Sequence, residues 1–110
     1  MNRQERFEQE IQKITKVIRE QYNPQKIILF GSVARGDFRD DSDIDMLVVK
    51  PSNQPRWKRS SEIYKLFFHD MYKIPFEPLV LTPDEFERGK RENRFLIRQI
   101  LKDGRLLYET

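Results

Sequence analysis

The chain contains 110 residues, of which 37% are hydrophobic and 35% are charged, with a formal net charge of +3. A chain of this length builds one domain around a single core, so we expect residues 1–110 to fold without a second substrate-binding lobe. The lack of cysteine excludes disulfides and thiolate metal sites. No apolar run approaches the roughly 20 residues of a membrane span, and the charged N-terminus does not resemble a signal peptide. We therefore expect a cytoplasmic protein without a membrane partner.

The N-terminal part of the chain predicts a long helix followed by a buried strand. Asn2 and Glu5 have the spacing of a capping box at a helix start. Apolar residues then recur at helical intervals, at Phe7, Ile11, Ile14, Ile18 and Tyr22. The Asn23-Pro24 pair ends this helix. The uniformly apolar run that comes next predicts a buried strand over Lys26–Phe30.

The middle of the chain predicts a short helix, a second strand and a longer helix. The short helix is expected over Val33–Gly36 and the strand over Ile44–Val49, with a loop from Pro51 to Pro55. A helix from about Arg56 to Tyr72 follows. Its large side chains are predicted to lie in the core, namely Trp57, Tyr64, Phe67, Phe68 and Met71.

The C-terminal part predicts a third strand, two helices and a short final strand. The strand covers Phe76–Leu81, and Thr82-Pro83 with Glu85 is a strong helix start. The helices are expected over Pro83–Gly89 and Asn93–Asp103. The second would bury Phe95, Leu96, Ile100 and Leu101, end at a left-handed Gly104 and lead into a strand at Arg105–Tyr108.

This order of elements predicts an α/β (α+β) fold, with a small mixed β-sheet and helices packed mainly on one side. Basic residues gather in the last two helices, at Arg88, Lys90, Arg91, Arg94, Arg98, Lys102 and Arg105. Such a cluster is more typical of a solvated helix face than of a nucleic-acid site, because no exposed aromatic residues alternate with it. We do not expect nucleic-acid binding.

Two carboxylates lie at the start of the second strand. Asp43 and Asp45 are two residues apart, so an extended chain directs both to the same face. Their mutual repulsion is relieved by a divalent cation, and an all-oxygen site of this kind suits Mg²⁺ that carries substrate phosphates. Gly31 and Ser32 follow the first strand, where a glycine turn and a hydroxyl can approach a phosphate. Asp37, Asp40 and Asp41, in contrast, are expected only to solvate the intervening turn.

These motifs resemble a known family. Gly31-Ser32 followed after ten residues by Asp43-Ile44-Asp45 resembles the signature of the DNA polymerase β-like nucleotidyltransferase superfamily. With Ala34-Arg35-Gly36 and Ser42 included, the pattern is similar to the minimal nucleotidyltransferase (MNT) branch. The resemblance extends from about Ile11 to Tyr108, and it implies the nucleotidyltransferase fold.

The resemblance also implies roles for individual residues. Asp43 and Asp45 would hold two Mg²⁺ ions, and Gly31 and Ser32 would bind the β- and γ-phosphates of ATP or another nucleoside triphosphate. Glu77 occupies the position of the family's third carboxylate, which is usually Asp, and would complete the metal site and assist deprotonation of the acceptor. Arg35 would either steady a phosphate or pair with Asp37 or Asp40.

The family relationship further implies a partner. MNT proteins of this length pair with HEPN-domain proteins in modules resembling toxin–antitoxin systems, in which the MNT member adenylylates a tyrosine hydroxyl of the HEPN toxin. Two alternatives remain open at this level. One is an antitoxin that neutralises its partner by binding alone, and the other is a subunit that modifies a small molecule such as an aminoglycoside. The acceptor and the preferred nucleotide are not encoded in the motif.

Overall fold

The computed structural model describes residues 1–67 and 74–110. Its elements, in chain order, are α1 (Arg3–Tyr22), β1 (Lys26–Phe30), α2 (Gly31–Arg35), β2 (Ile44–Val49), α3 (Arg56–Lys65), β3 (Phe76–Leu81), α4 (Pro83–Arg91), α5 (Phe95–Asp103) and β4 (Arg105–Glu109). The strands form one sheet in the order β3-β2-β1-β4. β1 runs antiparallel to β2 and β4, whereas β2 and β3 are parallel. The predicted small mixed sheet is confirmed.

The core lies on both faces of this sheet. Ile44, Met46 and Val48 of β2 pack with apolar side chains of α1 and α3. Leu47 and Val49 point to the other face, where they join a second cluster with residues of α4 and α5. The helices are therefore divided between the two faces rather than packed mainly on one. The second layer is hard to see in the sequence because each of its elements supplies only one or two residues.

The first helix agrees with its prediction. The Asn2 side chain accepts a hydrogen bond from the Glu5 N–H at 2.8 Å. Asn23 ends the helix in the left-handed conformation, with φ of +55°. The predicted apolar stripe is buried, from Phe7 through Tyr22. Burial of this stripe fixes α1 across the sheet and stabilises it beyond its intrinsic helical propensity.

The third helix is shorter than predicted, ending at Lys65. The predicted continuation to Tyr72, with Phe68 and Met71, lies outside the described residues. Phe67 is buried, but Trp57 is 73% exposed, so its predicted place in the core is wrong. Tyr64 is only partly covered, and its hydroxyl donates to the Phe76 carbonyl at 3.1 Å. The reason is that α3 lies along the edge strand β3, where one side of the helix faces solvent.

The last helix buries a narrower face than predicted. Ile97 and Ile100 are buried, whereas Phe95, Leu96 and Leu101 are exposed, so the prediction for these three residues is wrong. Gly104 is also not left-handed, because its φ is −68°. A Cβ at this position would overlap the Ile100 carbonyl oxygen and lie 2.8 Å from Ile28 Cγ2. Glycine is needed there for close packing, not for a positive φ.

A buried ion pair joins α3 to the start of α4. Arg59 donates to Glu85 Oε1 at 2.7 Å, and it also donates to the carbonyls of Gln54 and Val80. Glu85 in turn accepts from the Thr82 N–H at 2.8 Å and completes a capping box. Burial tends to raise the pKa of Glu85, but the hydrogen bonds from Arg59 and Thr82 hold that pKa below its usual value. Nothing in the local sequence pattern predicts this pair, because its members are 26 residues apart.

Strand β3 accommodates Pro78 without a bulge. Its register with β2 is continuous, and within residues 1–67 and 74–110 it pairs with no other strand. The Pro78 carbonyl accepts the Ser60 hydroxyl at 3.4 Å on the side away from β2. A proline, which has no N–H to donate, fits this edge strand because its nitrogen can face outward there. In the described part of the chain, no helix combines the length and apolarity needed to cross a bilayer.

Candidate active site

The sheet register brings the candidate carboxylates to neighbouring strands. Asp45 lies on the central strand β2, opposite Phe30 of β1 and Glu77 of β3. Residues in register on adjacent strands direct their side chains to the same face. Asp43 lies just before β2, and it and Glu77 are exposed, whereas Asp45 is half-buried. Asp45 is thus the innermost carboxylate of the group.

Gly31 and Asp45 are in direct contact. Gly31 has φ of +79°, and a Cβ built on it would overlap Asp45 Oδ2. Position 31 therefore needs glycine for two reasons, the left-handed backbone and the closeness of the carboxylate. β1 ends at Phe30, and α2 begins at Gly31. The two motifs of the sequence, Gly-Ser and Asp-x-Asp, thus meet at one point.

The electrostatics centre on Asp45. Burial raises the pKa of Asp45 to about 6, helped by the negative charges of Glu77 and Asp43 and opposed by Arg35. Three carboxylates and one guanidinium are therefore close enough to interact. A nearby cation stabilises the charged form of a half-buried carboxylate that is repelled by two others.

The remaining predicted residues surround this contact. Ser32 is half-buried, and in the described ranges its hydroxyl has no hydrogen-bond partner. The Arg35 Nε lies 3.3 Å from Asp37 Oδ2, which is one of the two roles that the sequence left open. Arg35 also lowers the pKa of Asp45, so its guanidinium is close enough to act on this carboxylate.

The turn that leads to Asp43 is fastened to α1, a feature that the sequence did not reveal. Asp40 accepts from Arg3 at 2.8 Å and from Arg6 at 3.2 Å. Arg3 also donates to the Phe38 carbonyl, and the Phe38 ring packs on Phe7 with 4.7 Å between ring centroids. Asp40 therefore does more than solvate the turn. Its partners are 34 and 37 residues away in the sequence, so no local pattern indicates them.

The chemistry of the donors fits a hard divalent cation. All three carboxylates supply oxygen, and their repulsion at Asp45 is relieved by positive charge. Among the residues described, no group of three or more His, Cys, Asp or Glu side chains is already gathered as a metal site. Strand register places Glu77 beside Asp45, and both Glu77 and Asp43 repel the Asp45 carboxylate. That these groups bind a metal ion stays a prediction.

Comparison with known proteins agrees with this geometry. The family described as "Polymerase beta, Nucleotidyltransferase" matches residues 12–110. The chain belongs to this family. A Methanocaldococcus jannaschii protein that is named as a protein adenylyltransferase is 32% identical over 91 residues, which cover 76% of this chain and 78% of the relative. The prediction of a nucleotidyltransferase is confirmed.

Solved structures with the same fold include antitoxins. A Sulfolobus solfataricus nucleotidyltransferase superimposes with a TM-score of 0.60 at 21% identity, covering 99% of this chain and 90% of the other. A chain of a toxin–antitoxin complex with AMP-PNP superimposes with a TM-score of 0.56 at 22% identity, covering 90% of this chain and 73% of the other. A chain of the complex between a tri-AMPylated Shewanella oneidensis HEPN toxin and MNT antitoxin superimposes with a TM-score of 0.51 at 19% identity. It covers 94% of this chain and 72% of the other. The predicted nucleotidyltransferase fold is confirmed.

Proposed function

We propose that this nucleotidyltransferase transfers AMP from ATP, with Mg²⁺, to a tyrosine hydroxyl of a HEPN toxin, and that it is the toxin's antitoxin. The contact between Gly31 and Asp45, within the charge field of Asp43 and Glu77, carries the proposal. Its acceptor class is supported by the relative named as a protein adenylyltransferase and by the AMPylated HEPN toxin bound to its MNT antitoxin. We expect the reaction in the cytoplasm, where ATP is available.

Each residue has a definite task in this mechanism. Asp43 and Asp45 would hold Mg²⁺, with Glu77 as a third ligand, and the bound ions would neutralise the triphosphate charge. Gly31 brings its backbone N–H close to the β- and γ-phosphates without a side chain in the way, and the Ser32 hydroxyl donates to them. Arg35 supplies a positive charge that already acts on Asp45.

The chemical step joins the acceptor oxygen to the α-phosphorus of ATP. As that O–P bond forms, the bond to the β-phosphate oxygen breaks and pyrophosphate leaves. The proton of the acceptor hydroxyl passes to a carboxylate, for which the exposed Glu77 is accessible. Positioning and charge neutralisation account for most of the rate, so the aspartates matter more than the Ser32 hydroxyl.

The test is transfer of radiolabelled AMP to a HEPN partner by the wild type and by two variants, Asp43→Asn and Asp45→Asn. Each substitution should lower the rate by about 10³-fold or more. Ser32→Ala should cost about tenfold, the loss of one hydrogen bond. The matched control is Asp41→Asn, because Asp41 is exposed and pairs only loosely with Arg39, at 3.7 Å. Full activity in the Asp43→Asn/Asp45→Asn double variant would refute the assignment.

A binding antitoxin is the second candidate function. It is favoured by the lack of a preassembled three-carboxylate metal group among the described residues. The same experiment separates the two functions, since a binding antitoxin would form a tight complex with its partner and leave it unlabelled. Labelling of a small molecule in the absence of any protein acceptor would instead favour the third alternative, a small-molecule nucleotidyltransferase.

A further inference from the structure

A groove of about 760 Å³ runs between α1 and the edge strand β4, on the face of the sheet opposite to the candidate carboxylates. Its floor is apolar and includes Ile11 and Leu107, whereas the side chain of Leu106, opposite Ile28, lies on the other face of the sheet. Its wall is basic, because Lys13, Lys16 and Arg19 follow one another at intervals of three residues and line the same side of α1. The groove therefore combines an apolar floor with a row of cations.

The strand beside this groove has an open edge. β4 pairs with β1 on one side, and among residues 1–67 and 74–110 no strand pairs with its other side. Leu106 on β4 is 54% exposed. Soluble proteins protect edge strands with charged residues, prolines, bulges or covering elements. β4 has charged residues at both ends and a register shift opposite Ile27 and Ile28, but Leu106 between them is left uncovered, which favours a covering chain at this position.

Cations outnumber acids along the groove, with Lys13, Lys16, Arg19 and Arg105 against Glu8. Glu8 is the one acidic residue among those lining it, and it pairs with Arg105 at 2.8 Å. Lys16 forms no ion pair in the part of the chain that the structure describes, and the nearest acid to Arg19 is the exposed Glu20 at 3.9 Å. An occupant with negative charge is therefore favoured. A second copy of this chain is disfavoured, because it would bring two such rows together.

We propose that this groove binds an extended acidic peptide segment of a partner protein, which adds to β4 as a fifth strand. Alternate residues of a strand are about 6.6 Å apart on one face, so acidic side chains at alternate positions can follow the row of cations on α1. The apolar side chains between them would cover Leu106. Backbone pairing distinguishes a peptide from RNA, which cannot extend a sheet and which would need aromatic platforms for its bases.

The test uses a fluorescein-labelled ten-residue peptide in which glutamate and valine alternate, with binding followed by anisotropy. Lys16→Glu together with Arg19→Glu should weaken binding about tenfold or more. Arg98→Glu together with Lys102→Glu is the control, since these two exposed residues of α5 make the same charge change away from the groove. A peptide of alternating lysine and valine should not bind.

Strand addition has its own signature. The backbone groups of alternate residues point to opposite edges of a strand, so only one of two N-methylated peptides, modified at the glutamates or at the valines, should lose binding. Equal behaviour of these two peptides would overturn the proposal. So would equal affinity for an oligouridylate of the same charge, or a dimer, detected by sedimentation, that excludes the peptide in favour of a second copy.

Discussion

The carboxylates at the two ends of the parallel pair β2–β3 have opposite electrostatic environments. At the start of these strands Asp45, Glu77 and Asp43 repel one another, and the pKa of Asp45 rises to about 6. At the far end, the carboxylate of Glu85 accepts hydrogen bonds from Arg59 and Thr82, and its pKa falls. At the first end the carboxylates repel one another, and a bound cation can relieve this repulsion. At the other end the Glu85 carboxylate already has hydrogen-bond partners and needs no ligand. The contrast separates a site built for binding from a contact built for stability.

Breaking the satisfied end should have the largest effect on stability. Arg59→Met leaves Glu85 without its main partner in a partly buried position, and it also removes the hydrogen bonds to Gln54 and Val80. We expect the free energy of unfolding to fall by about 3–5 kcal/mol, as measured by urea denaturation. Arg94→Met, which removes an exposed pair with Glu92, should cost less than about 1 kcal/mol. Equal costs for both would remove the distinction between the two ends.

The close contact at the repulsive end can be tested with two glycines. Gly31→Ala and Gly36→Ala both place a side chain at positive φ, +79° and +89°. A Cβ at position 36 meets nothing within 4 Å, whereas one at position 31 overlaps Asp45 Oδ2. We expect Gly36→Ala to cost about 1 kcal/mol and Gly31→Ala about 2 kcal/mol or more in thermal unfolding. Of the two variants, only Gly31→Ala should abolish AMP transfer. Equal losses of stability in both variants would argue against the contact.

The repulsion at Asp45 should itself reduce stability in a pH-dependent way. Its pKa is about 6 in the folded protein and 3.8 in a free chain. Between these values the folded state holds a proton that the unfolded state has lost, so stability falls as pH rises through this range and stays lower above it. In the absence of metal, Asp45→Asn should therefore stabilise the protein at pH 7 by about 1 kcal/mol, allowing for screening by solvent.

The same substitution should have no stabilising effect near pH 4, where Asp45 is already protonated in the folded protein. Melting temperatures of the wild type and Asp45→Asn, measured in EDTA from pH 4 to pH 7.5, give the comparison. Parallel curves across this range would show that Asp45 has an ordinary pKa, and the assigned repulsion would be wrong.

The proximity of the candidate residues was easier to predict from the sequence than the layers around them. The Gly31-Ser32 and Asp43–Asp45 motifs are local, and alternation along one strand is enough to give Asp43 and Asp45 a common face. Glu77 required a resemblance to a family, because its place beside Asp45 depends on the parallel register of β2 and β3. The register itself depends on the crossover through α3, which no local pattern determines.

The misplaced residues have a common cause. Trp57, Phe95 and Leu101 are large and apolar at helical spacing, so the sequence alone predicts burial. They are exposed because α3 lies beside an edge strand and α5 contacts the sheet through one narrow face. The sequence predicts a helix cap at Gly104 because of its permissive backbone, although its lack of a side chain against Ile28 is the property that matters. These features follow from tertiary packing rather than from periodicity.

The pKa of the Asp45 carboxyl, followed by ¹³C NMR with and without Mg²⁺, tests the central claim most directly. The account predicts a value of about 6 in metal-free protein and a clear decrease on adding Mg²⁺, because the cation favours the charged carboxylate. The metal-free pKa should also decrease in the Asp43→Asn variant, which removes one of the repelling charges. A pKa near the ordinary value of aspartate that does not respond to Mg²⁺ would contradict the account.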